Sequence, residues 1–242
     1  RETELFLEAQ VRDDAVVTDL LSANYTFVND RLAAHYSIPN VQGGEFRKVT
    51  FGDNRRGGLL GQGTLLTVTS FNNRTSAVVR GKYIRELLLG VPNPVMPPNV
   101  PALREPEAPM SYRSRIEQHR KNPVCSTCHA SFEPLGIALE NFDGIGRWRT
   151  TDGGEGVDPS GVLVDGTTLT GPADLRAALL ERREAVVSSL TEKVLSFAIG
   201  RNLEFYDMAS VRRIVAGATD LKWSSVLIGI VTSTSFQMTR LP

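Results

Sequence analysis

The chain reads as mainly α with a short β-hairpin or ordered loop, and three observations predict it. Apolar residues recur at helical spacing in "ETELFLEAQVR", in "TSAVVRGKYIRELLLG" and in four successive segments after residue 172. Strand-like alternation is confined to "EFRKVTF". Glycine and other turn residues crowd "DGGEGVDPSGVLVDGTTLTG", which suits a hairpin or an ordered loop. With 242 residues, 41% hydrophobic and 22% charged, the chain can bury a sizeable core and matches neither a disordered nor a fibrous composition. Lys+Arg 27 balance Asp+Glu 27, so no global field draws it to nucleic acid or to an anionic membrane.

Taken in order, "ETELFLEAQVR", "AVVTDLLSA" and "FVNDRLAAHYSI" carry helical signals, the last broken at Pro39. Gly43 and Gly44 turn the chain into the strand-like "EFRKVTF". "GGLLGQGTLLTVTS" fits a buried helix or a strand, and its glycines make no phosphate loop because the Lys-Ser/Thr ending is missing. The helix from Thr75 is expected to stop at Gly90 as its C-cap. Residues 91–109 hold seven of the chain's 13 prolines and predict extended, polyproline-like chain. That segment suggests a division into an N-terminal, mainly helical region, 1–105, and a helical domain, 106–242, unless the two pack as one continuous unit. Beyond it "MSYRSRIEQHRKN" is helical, and helices are expected at Ala173 to Arg183, Ala185 to Ile199, Asp207 to Ala216 and Trp223 to Thr232. The opening at Arg1, without an initiator methionine, reads as a piece of a longer protein; no apolar run approaches the ~20 residues of a membrane-spanning helix.

Both cysteines of the chain lie in "PVCSTCHA", at Cys125 and Cys128, with His129 next. A redox C-x-x-C would follow a strand in a βαβ unit, whereas the segment before this one reads as a helix. Zinc needs about four ligands, and no second Cys/His dyad exists beside His35 and His119. Covalent attachment of one haem c uses every residue of the motif. Residues three apart share a helix face, so the two thiols reach one porphyrin edge while His129 is carried under the ring as the proximal iron ligand.

The sixth iron ligand separates an electron carrier from a catalyst. The candidates are Met96, Met110, Met208, Met238, His35 and His119; Met238, in a loop near the end of the sequence, is placed to fold over the haem. Met208 and His35 read as packing residues, and His119 as a brace for the turn before the motif. Arg147, Trp148 and Arg149 in "GRWR" offer two guanidinium groups and an indole N–H to haem propionates, or form a solvated edge. Asp152, Glu155 and Asp158 offer oxygens to a calcium ion, although their spacing is not that of an EF-hand.

The run "IEQHRKNPVCSTCHASFEPLGIALENFDGIGRWR" resembles the haem-attachment segment of the planctomycete-type secreted multidomain c-type cytochromes, whose C-terminal regions are catalogued as domains of unknown function. The likeness extends to "RETELFLEAQ", "YTFVNDRLAAHYSI", "RGGLLGQGTLLTVTS", "RTSAVVRGKYIRELLLG", "LTEKVLSFAIGRNLEFYD" and "SFQMTR", and covers essentially the whole chain. The resemblance implies a periplasmic or secreted haem-bearing module with Cys125, Cys128, His129 and Met238 at the family's cysteine, histidine and methionine positions. Glu133 departs from it, an aspartate being more usual there. Because Met238 comes late and no helix follows, the expected fold is a monohaem c-type cytochrome-like helical domain whose topology differs from that of small class I cytochromes c.

The leading expectation is electron transfer, with redox proteins as partners and, by resemblance, polysaccharide-degrading enzymes as recipients of electrons. The alternative is a haem peroxidase or oxygenase with an open distal site and His119 as an acid–base group. A third reading makes the haem a structural staple in a module that binds a glycan or a partner protein.

Overall fold

The computed structural model describes residues 1–95 and 110–238. The proline-rich expectation for 96–109, with Met96, lies outside the described residues, and so does the tail beyond Met238. Among the described residues the chain is mainly α, with three two-stranded antiparallel ladders at its margins.

The N-terminal helix α1, Glu2–Arg12, buries Phe6 and Ala9 and leads through the short α2, Asp19–Ser22, into strand β1, Tyr25–Val28. β1 pairs with β2, Arg47–Thr50, from Tyr25↔Thr50 to Val28↔Arg47. Between them stands α3, Asp30–Tyr36, which starts where Asn29 accepts a hydrogen bond from the Leu32 amide at 3.0 Å. The helical reading of "FVNDRLAAHYSI" therefore holds only from Asp30 on. Tyr25, Thr26, Phe27 and Val28 are all strand-favouring residues, a local preference that the helical reading of Phe27 and Val28 passed over.

The ambiguous "GGLLGQGTLLTVTS" is helical: a 3₁₀ turn at Leu59–Gly61 and α4, Gly63–Val68. Helix α5, Ala77–Tyr83, is capped by the Ser76 hydroxyl, runs on as a π-helical turn over Ile84–Leu88, and ends at Gly90, whose φ of 66° is the left-handed C-cap the sequence signalled. After the undescribed residues come α6, Tyr112–Arg120, α7, Pro123–His129, and α8, Glu133–Ile137. Two small hairpins follow where a hairpin or ordered loop was expected: β3, Thr151–Asp152, with β4, Glu155–Gly156, and β5, Gly161–Val162, with β6, Thr168–Leu169. The chain closes through α9, Pro172–Glu181, α10, Arg183–Ile199, α11, Met208–Gly217, and α12, Trp223–Val231, each within a few residues of its predicted place, and a short α13, Thr234–Gln237.

The core runs across the 105/106 division drawn from the sequence. One apolar cluster joins Phe6, Val17 and Leu20 of the first segment to Val187, Leu195, Val211, Trp223 and Val226 of the last. A second joins Leu21, Leu60, Leu66 and Ile84 to Leu135, Leu139, Phe142, Leu175 and Leu179. The segments are also stitched by backbone bonds, Val17 N–H to Leu221 O at 2.7 Å and Trp223 N–H to Ala15 O at 3.2 Å, and by the Ser224 amide and hydroxyl donating to Asp14.

Helices α5 and α8 make the closest crossing of the fold. A Cβ added to Gly81 would lie 1.9 Å from Phe132 O, and one added to Gly136 would lie 1.9 Å from Ala77 O. Only a residue without a side chain admits backbone at that range, so the two glycines set the seat of α8 on α5. That seat fixes Glu133 at the head of α8.

Candidate functional site

The site is built from α6, α7 and α8. Helix α6 is clamped at its N-terminus: Ser111 caps it, Asp152 accepts from the Tyr112 amide at 2.7 Å, and Glu155 accepts from the Ser114 hydroxyl at 2.9 Å and from Ser111. Arg113 of its first turn pairs with Asp158 at 3.4 Å and donates to the Asp158 and Ser160 carbonyls. Carboxylates here complement the free amides and the positive end of the helix. Hydrogen bonds from Ser111 and Ser114 hold the Glu155 carboxyl below its usual range. The other side of α6 buries Tyr112 and Ile116 against Ala77 and Ile137, so the helix carries His119 and Arg120 toward α7 in a defined direction.

Cys125 and Cys128 of α7 are half-buried free thiols one helical turn apart, and His129 follows at the end of the same helix. His129 Nδ1 lies 2.7 Å from Glu133 Oε2, with the His129 side chain 15% exposed and that of Glu133 0%. The imidazole stands between two rings: His119, centroid 5.1 Å away and tilted 55°, and Phe132, at 5.3 Å and 48°. Arg120 Nη1 approaches Glu133 Oε1 at 3.7 Å, beyond hydrogen-bond range, and Oε1 makes no hydrogen bond. Burial first, and then the neighbouring His129, push His119 below the ordinary imidazole pKa. His129, a carboxylate bound to its Nδ1 and a flanking ring thus form one unit, and the bond at Nδ1 assigns Nε2 to any metal.

The sequence had marked His119 as a candidate sixth ligand, a brace or the acid–base group of an open site, and Glu133 only as a departure from a family pattern; Arg120 and Phe132 it had not singled out. The i, i+4 spacing of His129 and Glu133 was the available signal for that pair. It was obscured because Glu133 belongs to a separate helix, beyond a break at 130–132.

Other predicted residues go elsewhere. Arg149 is consumed by a buried network, donating to Glu140 Oε2 at 2.7 Å, Asp152 Oδ1 at 2.6 Å and the Glu140 carbonyl at 2.9 Å. Trp148 packs edge-on to Phe142 with centroids 5.2 Å apart, under the Arg55 guanidinium. Arg147 is exposed, its amide bonded to Asp143 Oδ1 at 2.8 Å. The "GRWR" segment therefore frames the core and, through Asp152, the start of α6; the propionate role drawn from the sequence is not what these contacts serve. The calcium reading is corrected likewise. Asp152, Glu155 and Asp158 face Arg149, two serine hydroxyls and Arg113, and among the described residues no three His, Cys, Asp or Glu side chains gather to hold a metal ion.

Met238 is 71% exposed at the end of α13. Helix α13 packs on α10 and α12 and is tied to α11 by Ser235 and Ser210, whereas α7 packs chiefly on α6. The structure does not bring Met238 to His129. Of the remaining candidates, Met110 accepts from Gln118 at 3.5 Å, Met208 packs against the core, and His35 Nε2 is bonded to the Ile145 carbonyl at 2.8 Å beside the Tyr36 ring.

Comparison with known proteins follows the same segments. Residues 56–152, which hold the whole α6–α8 site, match a family model described as protein of unknown function (DUF1588). The chain resembles three families of unknown function in succession. Residues 165–236 match protein of unknown function (DUF1585), and residues 1–38 match protein of unknown function (DUF1592). No curated protein and no solved structure matches the chain. The DUF1588 match spans the proline-rich segment, as does the core. Among the described residues no helix is long and apolar enough to cross a membrane.

Proposed function

We propose that this chain is a monohaem c-type cytochrome module, periplasmic or secreted, that passes single electrons between redox partner proteins. The observation that carries the reading is the pairing of two free thiols, one helical turn apart, with an imidazole whose Nδ1 is already held by a buried carboxylate. The residues fit the group. Cys125 and Cys128 would form the thioether bonds, and His129 would bind iron through Nε2, its ring held by His119, Phe132 and Glu133. A lone protein imidazole suffices there because a porphyrin supplies four of the metal's ligands itself, which accords with the lack of a protein-only metal cage among the described residues. When bound, the haem would supply a reversible one-electron couple.

Helix α7 lies at the surface, with Thr127 and Ala130 exposed, which suits transient contact with a partner at a haem edge. Enzymes of polysaccharide breakdown are the proposed recipients, on the strength of the sequence resemblance. The position of Met238 favours a second reading, in which the distal side of the iron is open and the module reduces peroxide or oxygen. His119 stacks on His129 and so stands beside the proximal imidazole, away from the acid–base role that reading first gave it.

The test is expression of the full chain with a c-type haem maturation system. Covalent haem that withstands denaturation, lost in Cys125→Ser and Cys128→Ser, is the expected result; a folded protein without covalent haem would refute it. Optical and EPR spectra of the ferric form then choose between the readings: low-spin iron supports electron transfer, and high-spin, peroxide-reactive iron supports the open site.

A further inference from the structure

The Glu133 carboxylate is unusual in its surroundings. It is fully buried, accepts one hydrogen bond, from a histidine, and leaves Oε1 without a hydrogen bond, with its nearest cation, Arg120, at 3.7 Å. A buried carboxylate so poorly compensated costs several kcal/mol unless positive charge is close by. The backbone that carries it is seated on α5 by the Gly81 and Gly136 contacts. The imidazole cannot swing aside, being flanked by His119 and Phe132. Apart from Arg120 and the ring itself, a charge on the far side of the imidazole, at Nε2, would compensate it.

We propose that Glu133 is a positioning residue for His129 whose fixed negative charge biases an iron centre held at Nε2 toward the ferric state. The inference rests on the haem reading of the same site. The couple is Fe(III) plus one electron to Fe(II), with no bond made or broken and the proton remaining on Nδ1. The ferric centre carries one more positive charge than the ferrous one, and a carboxylate on the far nitrogen stabilises it selectively. A neutral acceptor at Nδ1 would fix the ring equally well but would lack the charge. Arg120 opposes the effect by partly neutralising Glu133, so the two residues act on the couple with opposite signs.

The test is the midpoint potential of the full chain carrying covalent haem, measured by optical redox titration at one pH and ionic strength. Glu133→Gln keeps a hydrogen-bond acceptor while removing the charge. It should lower the ferric-to-ferrous ratio at a fixed potential at least tenfold, a rise of about 59 mV for a one-electron couple. Arg120→Gln, at a side chain 40% exposed, should move the ratio severalfold the other way. Ferric-to-ferrous ratios at the fixed potential within threefold of wild type for both variants, or shifts of the same sign, would overturn the proposal. Should Glu133→Gln fail to retain haem, Arg120→Gln alone decides it: an unshifted midpoint overturns the proposal and a fall supports it. Absence of covalent haem in the folded wild-type protein is a different result, which removes the haem reading itself.

Discussion

Gly136→Ala is the sharpest perturbation the fold offers, because one methyl group is placed against backbone that cannot rotate away. The added Cβ would sit 1.9 Å from Ala77 O and 2.6 Å from its carbon, and an ordinary contact needs about 3.5 Å, so α5 and α8 must part by about 1.5 Å. Overpacking of this kind costs about 1–3 kcal/mol and lies at the upper end where backbone is struck. Separation also loosens Ile84, Leu135 and Leu139, buried beside the crossing, and adds a cavity cost. The gain in helix propensity from alanine returns about 1 kcal/mol. A net loss of about 3 kcal/mol follows, which for a chain of this size is a fall of about 6–12 °C in melting temperature. Circular-dichroism melts should be compared with Gly217→Ala, the same substitution in α11 where no atom lies within 4 Å of the new Cβ, which should leave stability unchanged or slightly raised. A Gly136→Ala protein melting within 2 °C of wild type would refute the claim that this contact seats α8.

Gly81→Ala strikes Phe132 O, the carbonyl just before Glu133, so it should destabilise comparably and also displace the His129–Glu133 pair, visible as a shifted haem midpoint in the loaded protein. Arg149→Ala should cost about 2–3 kcal/mol in urea unfolding, since it strips the buried Glu140 of one of its two cations and leaves Arg80 at 3.5 Å as the other. Asp207, hydrogen-bonded to Arg201 at 2.7 and 3.1 Å, has its pKa lowered from 3.8 to about 2. A carboxyl depressed in the folded state contributes stability above pH ~4 that is lost as pH falls through about 2, here roughly 1 kcal/mol after screening at the half-exposed Arg201; Asp207→Asn should lose that increment at neutral pH and flatten the acid limb of the stability profile.

Helical periodicity and punctuation made most of the α elements legible. Gly90 ended a helix as a left-handed cap, and the four closing helices fell near their predicted places. β1 was missed although Tyr25-Thr26-Phe27-Val28 is strand-favouring, because Phe27 and Val28 were read into the helix that begins at Asp30, and the pairing with β2 across that helix is a tertiary fact. The cysteines and His129 were legible as a spacing. Their support was not, because it comes from α8 by way of a glycine–backbone contact with α5, and glycine gives no periodic signal. The acidic loop misled for a related reason: carboxylates separated by glycines look alike whether they await a cation from solution or are satisfied by Arg149, Arg113 and the N-terminus of α6.

The anchoring of the three site helices is unequal, and this bears on how a cofactor would be received. Helix α6 is fixed at one end by the β3–β4 hairpin and along its side by Ala77 and Ile137, and α8 is fixed by the glycine crossing. Helix α7 hangs between them, packed chiefly on α6 and tied to α8 through His129 and Glu133. The thiols and the imidazole share α7, and the ring is tied to α8 by the buried Glu133 carboxylate. In the proposed haem module, thioether bonds at Cys125 and Cys128 would tolerate small adjustments of α7, whereas binding of a metal at Nε2 would depend on the direction in which the His129 ring is held. By holding the His129 ring between His119, Phe132 and Glu133, the fold fixes the orientation on which the properties of the proposed metal centre would depend.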